Sequence, residues 1–206
     1  VIHGKGNVEA AIYLINGEHW EITNIEVTNT DGSAGDQGLL KGIYVVAENA
    51  GVRNHITIKN CYVHHVNGRV GGKWRGGIHV HVLGDSIMTK FHNLLIEGNV
   101  IRDVGGVGIG NQSSWGPIAT ETYYPWTEFV IRGNFIERTG RNSIILRYAI
   151  DPLIEYNVAA ASSRFDTGHS IVNFNTTNCV VQYNEAYGNT GDPDENERGG
   201  FDADYK

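Results

Sequence analysis

Short runs of apolar residues alternating with polar residues recur along the chain, and six of these runs align with one another. The six segments begin at His19, His55, Asn93, Glu128, Asp151 and Asn178. Each is typical of a strand, a bend and a second strand, because apolar residues recur with a period of two on either side of the bend. The alignment predicts two inward-facing columns: Ile22, Ile58, Ile96, Ile131, Ile154 and Val181 in the first strand, and Val27, Val63, Ile101, Ile136, Ala159 and Ala186 in the second.

An asparagine recurs at the bend between these two strands. Asn99, Asn134, Asn157 and Asn184 share one position, whereas Asn24 and Asn60 stand one residue earlier. Asparagine tolerates the left-handed backbone of a tight bend, and stacked amides can hydrogen-bond one another. The pattern therefore predicts an asparagine ladder along the axis of a stack.

A third strand follows in each repeat and carries its own apolar column. Its inward anchors are 27 to 35 residues apart and are Ile43, Ile78, Ile109, Ile144, Ile171 and Phe201. A strand-only pattern at this period is typical of parallel β-helices, whereas the blades of a propeller would show four strands joined by hairpin turns. The sequence therefore predicts an all-β fold, a right-handed single-stranded parallel β-helix of about six to seven coils.

Composition and charge narrow the choice of partner. The 206 residues are enough for a single domain, 1–206, and the formal net charge is −7, so no basic surface is available to nucleic acid. No apolar run reaches the roughly 18 residues that a membrane span needs. Cys61 and Cys179 are predicted to lie four coils apart, roughly 19 Å, so we expect free thiols. The excess of acidic over basic residues favours a neutral or weakly charged substrate.

The chain begins at Val1 without an initiator methionine, and neither terminus resembles a cap for the stack. We therefore expect a processed chain or a fragment of a longer helix, whose full-length form supplies further coils or a cap. Segments 31–41, 67–76, 111–127 and 189–199 exceed a minimal coil and are predicted to be long loops.

Several repeats resemble those of known β-helix proteins. NLLIEGNVIRDVGGVGI, EFVIRGNFIERTGRNSI, and VVQYNEAYGN followed by GGFDADY carry the resemblance, which extends from Trp20 to Tyr205. On these motifs the chain resembles secreted bacterial right-handed β-helix proteins, the superfamily that includes pectate lyases and several glycoside hydrolase families. The resemblance implies a polysaccharide-related role and a secreted, extracellular or periplasmic location. The multi-aspartate and His-Gly motifs of polygalacturonases have no counterpart here, so the resemblance names no reaction.

The third strand of each repeat offers a candidate binding surface. Residues one and three positions after each inward anchor point outward, because side chains alternate across a strand. These outward residues on successive coils, roughly 4.8 Å apart, include His79, His81, Gln112, Arg147, Asp202 and Asp204. The alignment predicts a strip along which a saccharide lies, held by the two histidines, the glutamine and the arginine.

Tryptophans in the neighbouring loops strengthen this prediction. Trp74 lies in segment 67–76, and Trp115 and Trp126 lie in segment 111–127. Flat aromatic rings stack on sugar rings, so we predict that all three bind substrate. The alternative is that they cover the apolar columns.

Asp202 and Asp204 stand two residues apart on one predicted strand. Their side chains should project the same way, with carboxyl groups roughly 6 to 8 Å apart. That separation fits inverting glycoside hydrolysis, in which one carboxyl protonates the leaving oxygen and the other activates water. We therefore predict a glycoside hydrolase acting on a polysaccharide or oligosaccharide, with Asp202 and Asp204 as its catalytic pair.

Two other functions stay open from the sequence. In a calcium-assisted polysaccharide lyase, the same two aspartates would hold Ca²⁺ against a uronate while Arg147, Arg198 or Lys206 removed a proton. In a non-catalytic carbohydrate-binding, adhesin or structural protein, the stack would serve as a rigid rod. Apart from Ca²⁺ in the lyase, the sequence indicates no cofactor.

Overall fold

A computed structural model describes residues 1–116, 122–191, 194 and 197–204 of the chain. Parts of the predicted loops 111–127 and 189–199 lie outside these residues, as do Tyr205 and the candidate base Lys206. The described residues form β-strands and contain no helix, and therefore none long and apolar enough to cross a membrane.

The strands stack into three parallel sheets, because each coil contributes in turn to sheets A, B and C. Sheet A contains β1 (Ile2–His3), β4 (Glu26–Asn29), β7 (Tyr62–Val66), β10 (Val100–Val104), β13 (Phe135–Thr139), β17 (Val158–Ala160) and β20 (Glu185–Tyr187). Sheet B contains β2 (Ala10–Ile15), β5 (Lys41–Glu48), β8 (Gly76–Leu83), β11 (Val107–Ser113), β14 (Ile144–Arg147), β18 (Ile171–Phe174) and β21 (Phe201–Asp204). Sheet C contains β3 (Trp20–Thr23), β6 (Val52–Lys59), β9 (Lys90–Glu97), β12 (Trp126–Arg132), β16 (Leu153–Glu155) and β19 (Val180–Gln182), with β15 (Ala149–Ile150) paired beside β12. The predicted parallel β-helix is confirmed.

The six aligned segments are the passages from sheet C to sheet A. Ile58 pairs with Ile96, and Ile96 pairs with Ile131, in the register that the alignment predicts. All three side chains are fully buried in a core that runs along the axis of the stack. Strands β1 and β2 precede the first aligned segment and lie outside the repeats from which the coils are predicted.

The predicted asparagine ladder is present in the interior. Asn99 Nδ2 donates to Asn134 Oδ1, Asn134 Nδ2 to Asn157 Oδ1, and Asn157 Nδ2 to Asn184 Oδ1, each at 2.9 Å. Each acceptor oxygen also accepts the backbone N–H of the asparagine on the preceding coil. The ladder thus satisfies buried polar groups of the bend, which would otherwise destabilise the core.

The offset of the first two asparagines has a backbone cause. Asn24 and Asn60 themselves occupy the left-handed bend, with φ of 56° and 54°. In the later coils the bend falls on the preceding residue, such as Gly98 at φ 64° or Tyr156 at φ 54°, and the next residue turns its amide inward. The prediction that the asparagine takes the left-handed bend is therefore confirmed for Asn24 and Asn60 and wrong for the four asparagines of the ladder.

Oppositely charged side chains face one another on the outer surface of sheet C. Glu97 lies between Lys59, at 2.8 Å, and Arg132, at 3.1 Å, so opposite charges face one another on adjacent strands.

The two cysteines, Cys61 and Cys179, are free thiols, as expected.

Candidate active site on the outer face of sheet B

Sheet B places the predicted strip on one wall of the stack. One outward residue from each strand pairs with the next along the sheet, in the order Tyr44, His79, Gly110, Ile145, Val172 and Asp202. Arg147 pairs with Phe174, which pairs with Asp204. The two aspartates therefore emerge from the same sheet face as the histidines, in the register that the repeats predict.

A cleft of about 250 Å³ lies on this face, over the last coils. Five residues that the sequence singled out line it together: Trp74, Gln112, Arg147, Asp202 and Asp204. Its lining includes Lys73 and Trp74 from the connection before β8 and Glu197 from the segment before β21. It brings two carboxylates, a guanidinium, an amide and an indole into one concave site, which is the kind of arrangement that holds a small polar ligand.

Arg147 is a buried cation that faces this cleft. Its exposed fraction is 7%, and its Nη1 donates to the carbonyl of Asn111 at 3.0 Å. Its guanidinium carbon lies 5.2 Å from the ring centroid of Trp74. Burial lowers the pKa of Arg147 to about 10, so the group stays charged at neutral pH. Arg147 forms no ion pair with another described residue, which leaves its remaining N–H groups available to a ligand.

Asp202 and Asp204 differ in their surroundings. Asp202 is half-buried, and its Oδ2 lies 3.8 Å from His169 Nε2, whereas Asp204 is exposed. The backbone N–H of Gly199 donates to His169 Nδ1 at 2.8 Å, so the neutral ring carries its hydrogen on Nε2, facing Asp202. His169 therefore orients a donor toward one carboxylate of the pair.

The further polar residues that line the cleft and were missed from the sequence include three that can carry a charge near neutral pH: Lys73, His169 and Glu197. Burial, and after it the charges of Arg141 and Arg147, lower the pKa of Lys73. All three lie on connections between strands. Side chains in a connection do not alternate regularly, so the sequence cannot predict which way they point. Glu197 adds a third carboxylate to the cleft.

The structure corrects the prediction for His79 and His81. Both lie on the outer side of sheet B, but they are 0% and 6% exposed. His79 Nε2 donates to the carbonyl of Arg75 at 3.0 Å, and the Trp74 ring packs edge-on against His81 at 6.0 Å. The connection before β8 therefore covers both rings, and direct contact with a sugar is excluded in this structure. His81 thus contacts Trp74 on one side, and its Nδ1 lies 2.9 Å from the Tyr44 hydroxyl.

Two of the three predicted sugar-binding tryptophans belong to the core. Trp126 begins strand β12, inside the segment predicted as a loop, and packs against Phe91 and Phe129 with ring centroids 5.0 and 5.7 Å away. It is fully buried, and Trp115 is 8% exposed within the same core cluster. The prediction that these two bind sugar is wrong, because their large apolar rings are buried against the inward columns. Trp74 remains 37% exposed and lines the cleft.

Mild acid is expected to destabilise the fold through the two buried histidines. Burial lowers the pKa of His79 to about 3 and that of His81 to about 2, whereas both groups titrate near 6.5 in an unfolded chain. Their stabilising contribution is complete above about pH 6.5 and is lost as the pH falls toward the folded values, because the unfolded chain then binds more protons. Between pH 7 and pH 6 we expect the free energy of unfolding to fall by about 1 to 2 kcal/mol.

Urea unfolding at the two pH values measures this effect. His81→Gln, which keeps a polar partner for Tyr44, should lose about half of the pH dependence. The matched control is His19→Gln, at an exposed histidine, which should leave the pH dependence unchanged. Identical pH dependence in wild type and His81→Gln would contradict the prediction.

Comparison with known proteins adds a likeness in sequence and in fold. No family model matches the chain. It is 25% identical over 267 aligned residues to a lacto-N-biosidase of Bifidobacterium longum subsp. longum, an alignment that covers 98% of this chain and 17% of the relative. The GH136 lacto-N-biosidase of Eubacterium ramulus superimposes with TM-scores of 0.68 in its native form and 0.69 in its selenomethionine form. Both comparisons have 17% identity and cover 86% of this chain and 39% of that one. The chain thus spans less than half of the relatives it matches, and it shares its fold with the Eubacterium ramulus protein.

Proposed function

We propose that the protein is a glycoside hydrolase that cleaves an oligosaccharide bound in the cleft on sheet B. One observation carries the proposal: Asp202 and Asp204 line the same cleft as Arg147, Gln112 and Trp74. Such a site combines a carboxyl pair with groups that hold sugar hydroxyls and sugar rings. The lacto-N-biosidases to which the chain is similar act on oligosaccharides by their name, which supports the same reaction class.

The carboxyl pair supplies the acid and base chemistry of hydrolysis. One carboxyl protonates the glycosidic oxygen as the bond to the anomeric carbon breaks, and the other takes a proton from the attacking water. Residues two apart on a strand have Cα atoms roughly 6 to 7 Å apart, which leaves room for that water. The proposal therefore includes inversion of the anomeric configuration.

Three side chains position the substrate in this proposal. The charged N–H groups of Arg147 donate to sugar oxygens, and the exposed face of Trp74 stacks on a sugar ring. Gln112 lines the cleft, and its side-chain amide can hydrogen-bond a sugar hydroxyl. Each of these contacts orients the glycosidic bond against the carboxyl pair.

A glycan panel tests the reaction class. The full-length protein is incubated with neutral and acidic oligosaccharides, with and without a chelator, and the products are analysed. Hydrolysis predicts reducing ends whose release is insensitive to chelator. Unsaturated, ultraviolet-absorbing products that require Ca²⁺ would replace the hydrolase with a lyase, and saccharide binding without any product would replace it with a binding module.

The two alternative functions, a calcium-assisted polysaccharide lyase and a non-catalytic carbohydrate-binding, adhesin or structural protein, remain predictions. In the part of the chain that the structure describes, no group of three or more His, Cys, Asp or Glu side chains is arranged to hold a metal ion. The cleft itself, with its paired carboxylates and arginine, is the observation that favours hydrolysis over a purely structural rod.

Removing the exposed tryptophan is expected to weaken substrate binding more than the chemical step. Trp74→Ala should raise KM by about 5- to 20-fold with a small change in kcat, because a stacked ring contributes about 1 to 2 kcal/mol. Trp74→Phe, which keeps a ring over Arg147 and His81, should restore most of the affinity. Trp20 is 55% exposed on sheet C, so Trp20→Ala is the matched control and should change neither constant. An unaltered KM in Trp74→Ala would remove Trp74 from the site.

A further inference from the structure

A second and larger groove lies at the corner between sheets A and B. It encloses about 830 Å³, within the range of small-molecule sites. The connection before β8 borders both cavities: its Lys73 and Trp74 line the cleft, and its Arg69 and Arg75 line the groove. Segment 163–167, which carries Arg164, also lines the groove. Three arginines therefore converge on one open groove, in a chain whose net charge is −7.

The carboxylates of this groove are already engaged by donors of the protein. Asp36 accepts hydrogen bonds from Arg75 Nη1 at 2.5 Å and from the backbone N–H of Gly38 at 2.8 Å. These donors hold the pKa of Asp36 below its usual range. Asp166 accepts from Arg141 Nη1 and from the backbone N–H of Thr167. Both negative charges are therefore compensated, and neither repels an incoming anion as a free carboxylate would.

Arg69 and Arg164 supply positive charge that the two carboxylates of this groove do not neutralise. Their guanidinium carbons lie 5.4 and 5.1 Å from the ring centroid of Phe165, so one aromatic ring holds both side chains in place. Arg69 forms no ion pair with any residue within the described ranges. Arg164 forms an ion pair at 3.6 Å with Asp103, a carboxylate that Arg138 already holds at 2.7 Å. Contact with the ring restricts both guanidinium groups before any ligand binds, which reduces the entropy lost on binding an anion.

We propose that this groove binds a carboxylate or sulfate group carried on a saccharide. Planar guanidinium groups hold either anion through paired, charge-assisted hydrogen bonds. The groove is much larger than an inorganic anion needs, which leaves room for the sugar that carries the charge. The saccharide part of this inference rests on the proposed function, whereas the binding of the anion does not.

Calorimetric titration of the full-length protein tests the groove. The probes are glucuronic acid and galactose 6-sulfate, with galactose as the neutral sugar and inorganic sulfate as the bare anion. We expect both charged sugars to bind at least about tenfold more tightly than galactose and inorganic sulfate, and to bind more weakly as salt is added. Glucuronic acid binding alone would assign a carboxylate site, and galactose 6-sulfate binding alone would assign a sulfate site.

Variants of the two arginines locate the binding. Arg69→Ala combined with Arg164→Ala should weaken charged-sugar binding by at least about tenfold, because the charge-assisted hydrogen bonds are lost. Arg164→Gln, which keeps part of the side chain against Phe165, is a milder second test and should weaken it several-fold. The matched control is Arg102→Ala: Arg102 also stacks on a phenylalanine, Phe135 at 5.1 Å, but pairs with Glu137 on sheet A. Arg102→Ala should bind the charged sugars with the affinity of the wild type.

Two outcomes would overturn the proposal. Equal affinity of wild type and the double variant for the charged sugars would remove the site, and equal affinity for inorganic sulfate and galactose 6-sulfate would remove the saccharide. A failure of the hydrolase proposal can be distinguished from a failure of this one. Asp202 does not line the groove, so Asp202→Asn should leave charged-sugar binding intact. A protein that binds these sugars but cleaves no glycan would keep the groove and lose the hydrolase.

Discussion

Replacement of Asp202 or Asp204 by asparagine is expected to lower kcat for glycan cleavage by about 10²- to 10⁴-fold. Each substitution keeps the size of the side chain but removes its ability to exchange a proton, and general acid or base catalysis supplies a factor of this order. Both residues line the cleft with Arg147, so substrate should still bind and KM should change little. Initial rates on the cleaved glycan, measured over a range of substrate concentrations, give both constants.

The matched control is Asp151→Asn. Asp151 is an exposed aspartate beside sheet C whose Oδ1 accepts a hydrogen bond from Asn178 at 3.0 Å. This variant should cleave at the wild-type rate. If either Asp202→Asn or Asp204→Asn retained full turnover, the pair assignment would be wrong, and Glu197, which lines the same cleft, would be the next carboxylate to test.

The stereochemistry of the product gives an independent measurement. Carboxyl groups far enough apart to admit water predict inversion, whereas a pair about 5 to 5.5 Å apart predicts retention through a covalent intermediate. Proton NMR of the reaction within its first minutes distinguishes the two anomers before they equilibrate. A retained configuration would contradict the assignment of these two strand residues as an inverting pair.

Removal of one rung of the asparagine ladder is expected to cause a large loss of stability. Asn134→Ala should lower the free energy of unfolding by about 3 to 5 kcal/mol, because it leaves several buried polar groups without partners. The Asn134 side chain accepts from the backbone and side-chain amides of Asn99, and it donates to the carbonyl of Ile96 and to Asn157 Oδ1, all within 3.0 Å. Asn134 is 1% exposed, so water cannot replace these bonds without opening the stack.

Equilibrium unfolding in urea measures this loss. Asn54→Ala is the control: Asn54 lies half-buried in β6, and its amide donates to the carboxylate of Glu18 at 3.1 Å on the surface. That variant should lose less than about 1 kcal/mol, because solvent replaces the missing bond. If the two variants lost equal stability, the ladder would not be a principal source of cohesion between coils.

Local periodicity in the sequence predicted the architecture because every coil places apolar residues at the same inward positions of its strands. Ile58, Ile96 and Ile131 are read as one column from their spacing alone, and a parallel sheet places such residues directly above one another. The same reasoning placed Asp202 and Asp204 on the outer face of sheet B, where the structure has them. Even the interior ladder was predicted, although the exact residue that takes the left-handed bend was not.

The sequence by itself determined the three-strand coil, its inward columns, the ladder and the side of the sheet on which each candidate residue lies. Only the tertiary structure decided which of those residues reach solvent. His79 lies on the predicted side but under the connection before β8, Trp126 turns into the core, and Lys73 and Glu197 enter the cleft from connections without a pattern. The physical reason is that alternation along a strand is a local property of the backbone. The path of a connection is instead decided by contacts between residues that are distant in the chain, and a period cannot encode it.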